Sequence, residues 1–136
     1  MKLLILLLLA FVLSCSKSKE KQSQHFPEEG HNNKIKVEVT VQYIKGCIDS
    51  KEMIKRVEEA IKDIPEVKYT KMLIETEEKA REVGFRGSPT LLINGKDYEG
   101  LPVPEEPTIA CRVYSKGLPS VEDIRKRIEN EILAGK

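Results

Sequence analysis

Ile35, Val37, Val39, Val41 and Tyr43 alternate with Lys36, Glu38, Thr40 and Gln42. A period of two marks a half-buried strand. Asp49 and Glu52 stand at capping-box spacing, so a helix is expected to start there. Met53, Val57, Ile61 and Ile64 recur at helical spacing with Ile54 and Ala60 beside them, and Pro65 ends the run. Val67 to Ile74 reads as a second strand. Thr76 is placed to cap a short helix, Glu77 and Glu78 suit its positive end, and Gly84 is its stop. Thr90 to Ile93 is an apolar third strand. Asn94-Gly95 is the strongest hairpin signal in the chain and predicts an antiparallel return over Lys96 to Glu99. Gly100 to Pro107 holds three prolines and two glutamates and reads as a loop or lid. Ser120 caps a last helix with Val121, Ile124, Ile128 and Ile132 on one face.

The order is therefore β-α-β-α-β-β-α. Two strands joined through a helix run parallel, and the Asn-Gly hairpin adds an antiparallel edge. A mixed four-stranded α/β sheet with helices on both faces is the economical solution.

The N-terminus has a different pattern. Leu3 to Leu13 is an unbroken apolar run of eleven residues behind Met1-Lys2. That is short of the roughly 20 residues a membrane span needs, and it fits the core of an export signal. The run ends in Val12-Leu13-Ser14-Cys15, which resembles the lipobox of bacterial lipoproteins. The resemblance implies cleavage after residue 14 and lipidation of Cys15. Residues 15–33 then form a polar tether without period, which contains His25 and His31. The folded domain is expected over 34–136. The expected location is extracytoplasmic, on a lipid anchor in a membrane.

A formal net charge of +1 argues against a nucleic-acid partner, which would call for a basic excess. Once the leader is removed, Cys47 and Cys111 are the remaining thiols, in an oxidising compartment. No phosphate-cradling loop is present, and no cofactor is expected. A Ser/His/Asp triad is not credible, because both histidines lie in the tether.

Cys47 falls between the first strand and the first helix, in Gly46-Cys-Ile-Asp-Ser50. A thiol at a helix N-terminus meets unpaired N–H groups and the positive dipole end, which favour thiolate. Lys45 is expected to add to that effect and Asp49 to oppose it. Arg112 is a candidate for holding a thiolate or an anionic ligand. Arg86 stays open between a site role and a solvated one, Tyr114 reads as core packing, and Glu105-Glu106 as solvated loop.

A cysteine at this place, together with Gly87-Ser-Pro-Thr90 leading into the third strand, resembles the thioredoxin superfamily. The resemblance implies a thioredoxin-like fold. It makes Pro89 a cis-proline packed against the redox cysteine, with Ser88 and Thr90 beside it lining a substrate groove. Val83 to Thr90, Ile93-Asn-Gly-Lys-Asp97 and Ala110-Cys-Arg-Val-Tyr114 are similar to a narrower group of small bacterial thioredoxin-like proteins, some labelled as related to alkylmercury lyase.

Ser50 stands where a Cys-x-x-Cys motif would carry its second cysteine, so no local disulfide can close. Three outcomes stay open. Cys47 acts as a monothiol; Cys111 folds over the site as its resolving thiol, with a protein thiol or disulfide as partner; or the two form a static disulfide. A static bond would close a loop of about 65 residues and be worth roughly 4 kcal/mol on the chain-entropy scale. Two further functions compete with exchange. One is a module holding mercury, copper or arsenite on two thiolates, since soft ions prefer sulfur. The other is a structural domain with an inert disulfide.

Overall fold

The computed structural model describes residues 34–135. The expected leader, Cys15 and the expected tether with His25 and His31 lie outside the described residues. Strand β1 spans Val37–Tyr43, helix α1 Ile48–Ile61, strand β2 Val67–Leu73 and helix α2 Glu77–Glu82. Strands β3 (Thr90–Ile93) and β4 (Lys96–Asp97) and helix α3 (Val121–Ala134) complete the chain. The sheet order is β2-β1-β3-β4. β1 and β2 are parallel, with Val39 opposite Tyr69, as a helical crossover requires. β3 runs antiparallel to both β1 and β4. The mixed α/β sheet expected from the pattern is the one observed.

Along β1, Val37, Val39 and Val41 are fully buried. They face Met53, Val57 and Ala60 of α1 and Ile124 and Ile128 of α3 in one cluster, which Leu91 and Ile93 complete. Cutting a residue such as Ile128 back to alanine costs about 2–5 kcal/mol. The opposite face carries a smaller cluster of Ile74, Ala80 and Phe85, under α2. Gln42, which points to that face, donates from Nε2 to the Val83 carbonyl at 3.3 Å. Helices therefore lie on both faces.

Local chemistry sets most of the boundaries. Thr76 Oγ1 accepts from the Lys79 N–H at 3.1 Å, and Ser120 Oγ accepts from the Asp123 N–H at 3.1 Å. Asn94 (φ 51°) and Gly95 (φ 74°) both take the left-handed conformation, as a two-residue hairpin with the sheet's twist demands. Three expectations are corrected. β1 starts at Val37, leaving Ile35 47% exposed outside it. The capping box is not formed: Cys47 is the N-cap of α1 and Asp49 sits in its first turn. β4 stops at Asp97 instead of reaching Glu99, because Asp97 Oδ1 turns the chain by accepting from the Glu99 and Leu101 N–H groups at 3.0 and 3.2 Å.

Candidate functional site

The site forms where β1 ends. Gly46, at φ +85°, turns the chain so that Cys47 becomes the first residue of the α1 cap. Cys47 makes no side-chain capping bond to its own helix. Its Sγ turns to the loop before β3 and donates to the Ser88 carbonyl at 3.3 Å.

Ser88 holds this junction together. It is fully buried, and its peptide bond to Pro89 is cis. Ser88 Oγ accepts from the Ile44 N–H at 2.9 Å and shares a 2.6 Å hydrogen bond with Ser50 Oγ. Its N–H donates to the Ala110 carbonyl, and its carbonyl accepts from the Arg112 N–H, both at 2.8 Å. These two bonds form a short parallel bridge centred on Cys111. The segment after β4 is thereby laid across the Cys47 loop, and Cys111 lands against Cys47.

Arg112 and Tyr114 fix that segment from below. The Arg112 guanidinium donates to Asp97 at 2.6 and 3.0 Å and to Glu99 at 2.9 Å. Its side chain is 3% exposed and that of Asp97 is not exposed at all. The guanidinium also stacks 4.3 Å from the centre of the Tyr114 ring. Tyr114 donates from its hydroxyl to the Pro89 carbonyl at 3.1 Å and accepts from the Leu91 N–H at 3.2 Å. Burial pushes the Tyr114 phenol up to about 12, so it stays a proton donor. The Cys-Arg-x-Tyr motif thus works as a clamp: arginine grips the β3–β4 hairpin, tyrosine grips the proline loop, and cysteine points to the site.

Cys47 and Cys111 border one open pocket of about 360 Å³, with Asp49, Arg112 and Val113 around it. Burial pushes the Cys47 thiol up, but hydrogen bonds from Cys111, Ser50, Ser88 and the Asp49 N–H together hold it below its ordinary range. Cys111 is pushed up, first by serving as the hydrogen-bond donor to Cys47, then by burial and by the nearby negative charge of Cys47 and Asp49. The two shifts run in opposite directions, so of the two thiols Cys47 ionises the more readily. Cys47 is 7% exposed, whereas Cys111 is exposed. Ile48 (86% exposed) and Val113 (89% exposed) flank the pair on the surface.

Cys47 and Cys111 thus border one pocket, and Pro89 follows the Ser88 carbonyl that Cys47 meets. Four assignments change. Ser88 and Thr90 are fully buried and cannot line a substrate groove; Thr90 Oγ1 instead donates to the Gly87 carbonyl at 2.6 Å. Arg112 is spent on Asp97 and Glu99 and holds no thiolate. Lys45 pairs with Glu75 at 2.8 Å. Asp49 assists Cys47 through its N–H, while its carboxylate acts on Cys111. Arg86 Nε and Nη1 donate to the Leu101 and Gly84 carbonyls, so it braces the loop. Sequence reasoning missed Ser50, Asp97 and Glu99 as parts of the site. Ser50 was visible as the residue in the place of a second cysteine. The carboxylates gave no such signal, because their partner lies 13 to 15 residues away.

No family model matches the sequence, and no curated protein matches it. Among solved structures the chain is similar to thioredoxin of Fasciola hepatica, at 20% identity and a TM-score of 0.45, covering 77% of this chain and 86% of that one. It is also similar to the thioredoxin Mala s 13 of Malassezia sympodialis, described as a member of a pan-allergen family, at 21% identity and a TM-score of 0.42. That match covers 76% of this chain and 77% of the other. The strand order and directions described above are those of a mixed four-stranded α/β sheet.

Proposed function

We propose that this protein performs thiol–disulfide exchange, with Cys47 and Cys111 cycling between dithiol and disulfide. The observation that carries this reading is the placement of both cysteines on one open pocket, with Cys47 held below its ordinary range and Cys111 above it. On oxidation the pair gives up two electrons and two protons and forms one S–S bond. A partner disulfide takes them up and becomes two thiols. The reverse cycle oxidises a partner dithiol. A lowered pKa raises the thiolate fraction of Cys47 at any pH below its ordinary range and makes it the better leaving group.

The N-terminal apolar run supports a membrane-anchored, extracytoplasmic setting for this chemistry, in which both sulfurs meet an oxidising poise. Among the described residues no helix is long and apolar enough to cross a membrane. The anchor in this reading is the lipid on Cys15.

The test is catalysis of exchange between a peptide dithiol and a small disulfide by the full chain. The wild type accelerates it, and both Cys47→Ser and Cys111→Ser lose the acceleration. A Cys111→Ser variant with full activity would show monothiol chemistry and contradict the two-cysteine cycle. Loss of activity in neither variant would contradict the site altogether.

A further inference from the structure

The two sulfurs present themselves to solvent unequally, and the difference assigns a direction of approach. The segment 110–112 occupies both hydrogen-bonding groups of the Ser88 peptide, so no outside strand can pair there while it is seated. That same seating leaves Cys47 7% exposed and Cys111 exposed.

A thiolate displaces a sulfur from a disulfide along the line of the S–S bond, from the side opposite the leaving sulfur. Attack on Cys111 must therefore come from the side of Cys111 away from Cys47. A cavity of about 400 Å³ touches Cys111 without touching Cys47, between the loop before β3 and the proline-rich segment. Its walls include Phe85, Leu101, Pro102, Pro104 and Thr108, with Arg86 and Glu106 as charged groups. Cys47 borders a space of about 270 Å³ with Gly46, Ile48 and Lys51, which does not touch Cys111, and one of about 360 Å³ that it shares with Cys111.

We propose that Cys111 is the sulfur which receives an incoming peptide thiol, and that the cavity at its side seats the apolar residue flanking the reacting cysteine of that peptide. This rests on the exchange reading above and reverses the roles expected from the sequence, in which Cys47 meets the substrate. The substrate thiolate bonds to Cys111 Sγ, the Cys47–Cys111 bond breaks, and its electron pair stays on Cys47. A second thiolate of the same peptide then attacks the substrate sulfur. Cys111 leaves and takes up a proton, the peptide holds a disulfide, and the protein holds two reduced sulfurs. Leaving-group chemistry agrees with the geometry. Cys111 is then bonded to the substrate and has no proton to give, so Ser50, Ser88 and the Asp49 N–H stabilise the departing Cys47 thiolate against its burial, and the sulfur of lower pKa leaves faster.

The experiment uses the oxidised full chain and two synthetic peptides with a single cysteine, one flanked by leucine and one by aspartate. Acid quenching within the first turnover and peptide mapping by mass spectrometry locate the adduct. The expected result is an adduct on Cys111, formed about tenfold faster with the leucine peptide. Thr108→Trp, which fills the cavity, should remove that preference, and Lys51→Trp, at the space that touches Cys47 and not Cys111, should not. An adduct mapping first to Cys47, or a rate slowed by Lys51→Trp and not by Thr108→Trp, overturns the proposal. An adduct on Cys111 with equal rates for both peptides overturns the role of the cavity. If the chain forms no reversible Cys47–Cys111 bond at all, the exchange reading itself fails, and that outcome is visible before any peptide is added.

Discussion

Ser88 concentrates more of the site in one residue than either cysteine does. Its hydroxyl takes the Ile44 N–H and meets Ser50, and its carbonyl takes Cys47 and the Arg112 N–H. Ser88→Ala removes the hydroxyl and leaves the Ile44 N–H without its partner. A loss of about 1–3 kcal/mol is expected in denaturant unfolding. The same change takes away one of the bonds that hold Cys47 below its ordinary range. The sign follows directly. Alkylation by iodoacetamide reports the thiolate fraction, so the midpoint of rate against pH should move to higher pH. Cys111→Ala should move it the same way, because it deletes the thiol hydrogen bond to Cys47. A midpoint that stays in place in both variants would mean that the helix end alone sets the thiolate. At this scale the sequence was half legible. Cys47 could be found from its place between strand and helix. Ser88 looked like a groove residue, because its neighbourhood was readable and its burial was not.

At the level of elements, the proline loop and the strap that carries Cys111 are held by two devices. The first is the close approach of Gly87 to Arg112. A Cβ at Gly87 would lie 2.9 Å from Arg112 Cβ, and the backbone there has φ +93°, a region that side chains rarely adopt. Gly87→Ala should therefore cost about 1–3 kcal/mol and push the Cys111 segment away from Cys47. Disulfide closure, followed by mass, should slow together with the loss of stability. The second device is the buried Arg112–Asp97 pair. Arg112→Ala leaves the Asp97 carboxylate buried and unpaired and should cost about 3–5 kcal/mol in denaturant unfolding. Replacing both partners at once should cost less than the sum of the single changes. The regular elements were legible because short-range rules govern them: alternation in β1, the threonine and serine caps, and the Asn-Gly turn. The clamp was not, since Arg112 and Asp97 meet only after the hairpin and the strap have folded onto each other. The unused capping box has a related cause. The turn at Gly46 moves the start of α1 to Cys47, and Asp49 enters the helix instead of capping it.

For the molecule as a whole, the sheet order brings the end of β1 beside the start of β3, and the strap returns across both. That geometry replaces the missing local cysteine at Ser50 with a distant one at Cys111. The account stands on the claim that this distant pair is a working redox couple. The measurement that tests it most directly is a redox titration of the full chain, with both cysteines read by mass spectrometry. The prediction is a reversible Cys47–Cys111 bond at a potential above about −300 mV, the range below which structural disulfides lie. A bond that resists reduction past that value would make the pair a structural staple, and two free thiols across the whole range would contradict the pair itself.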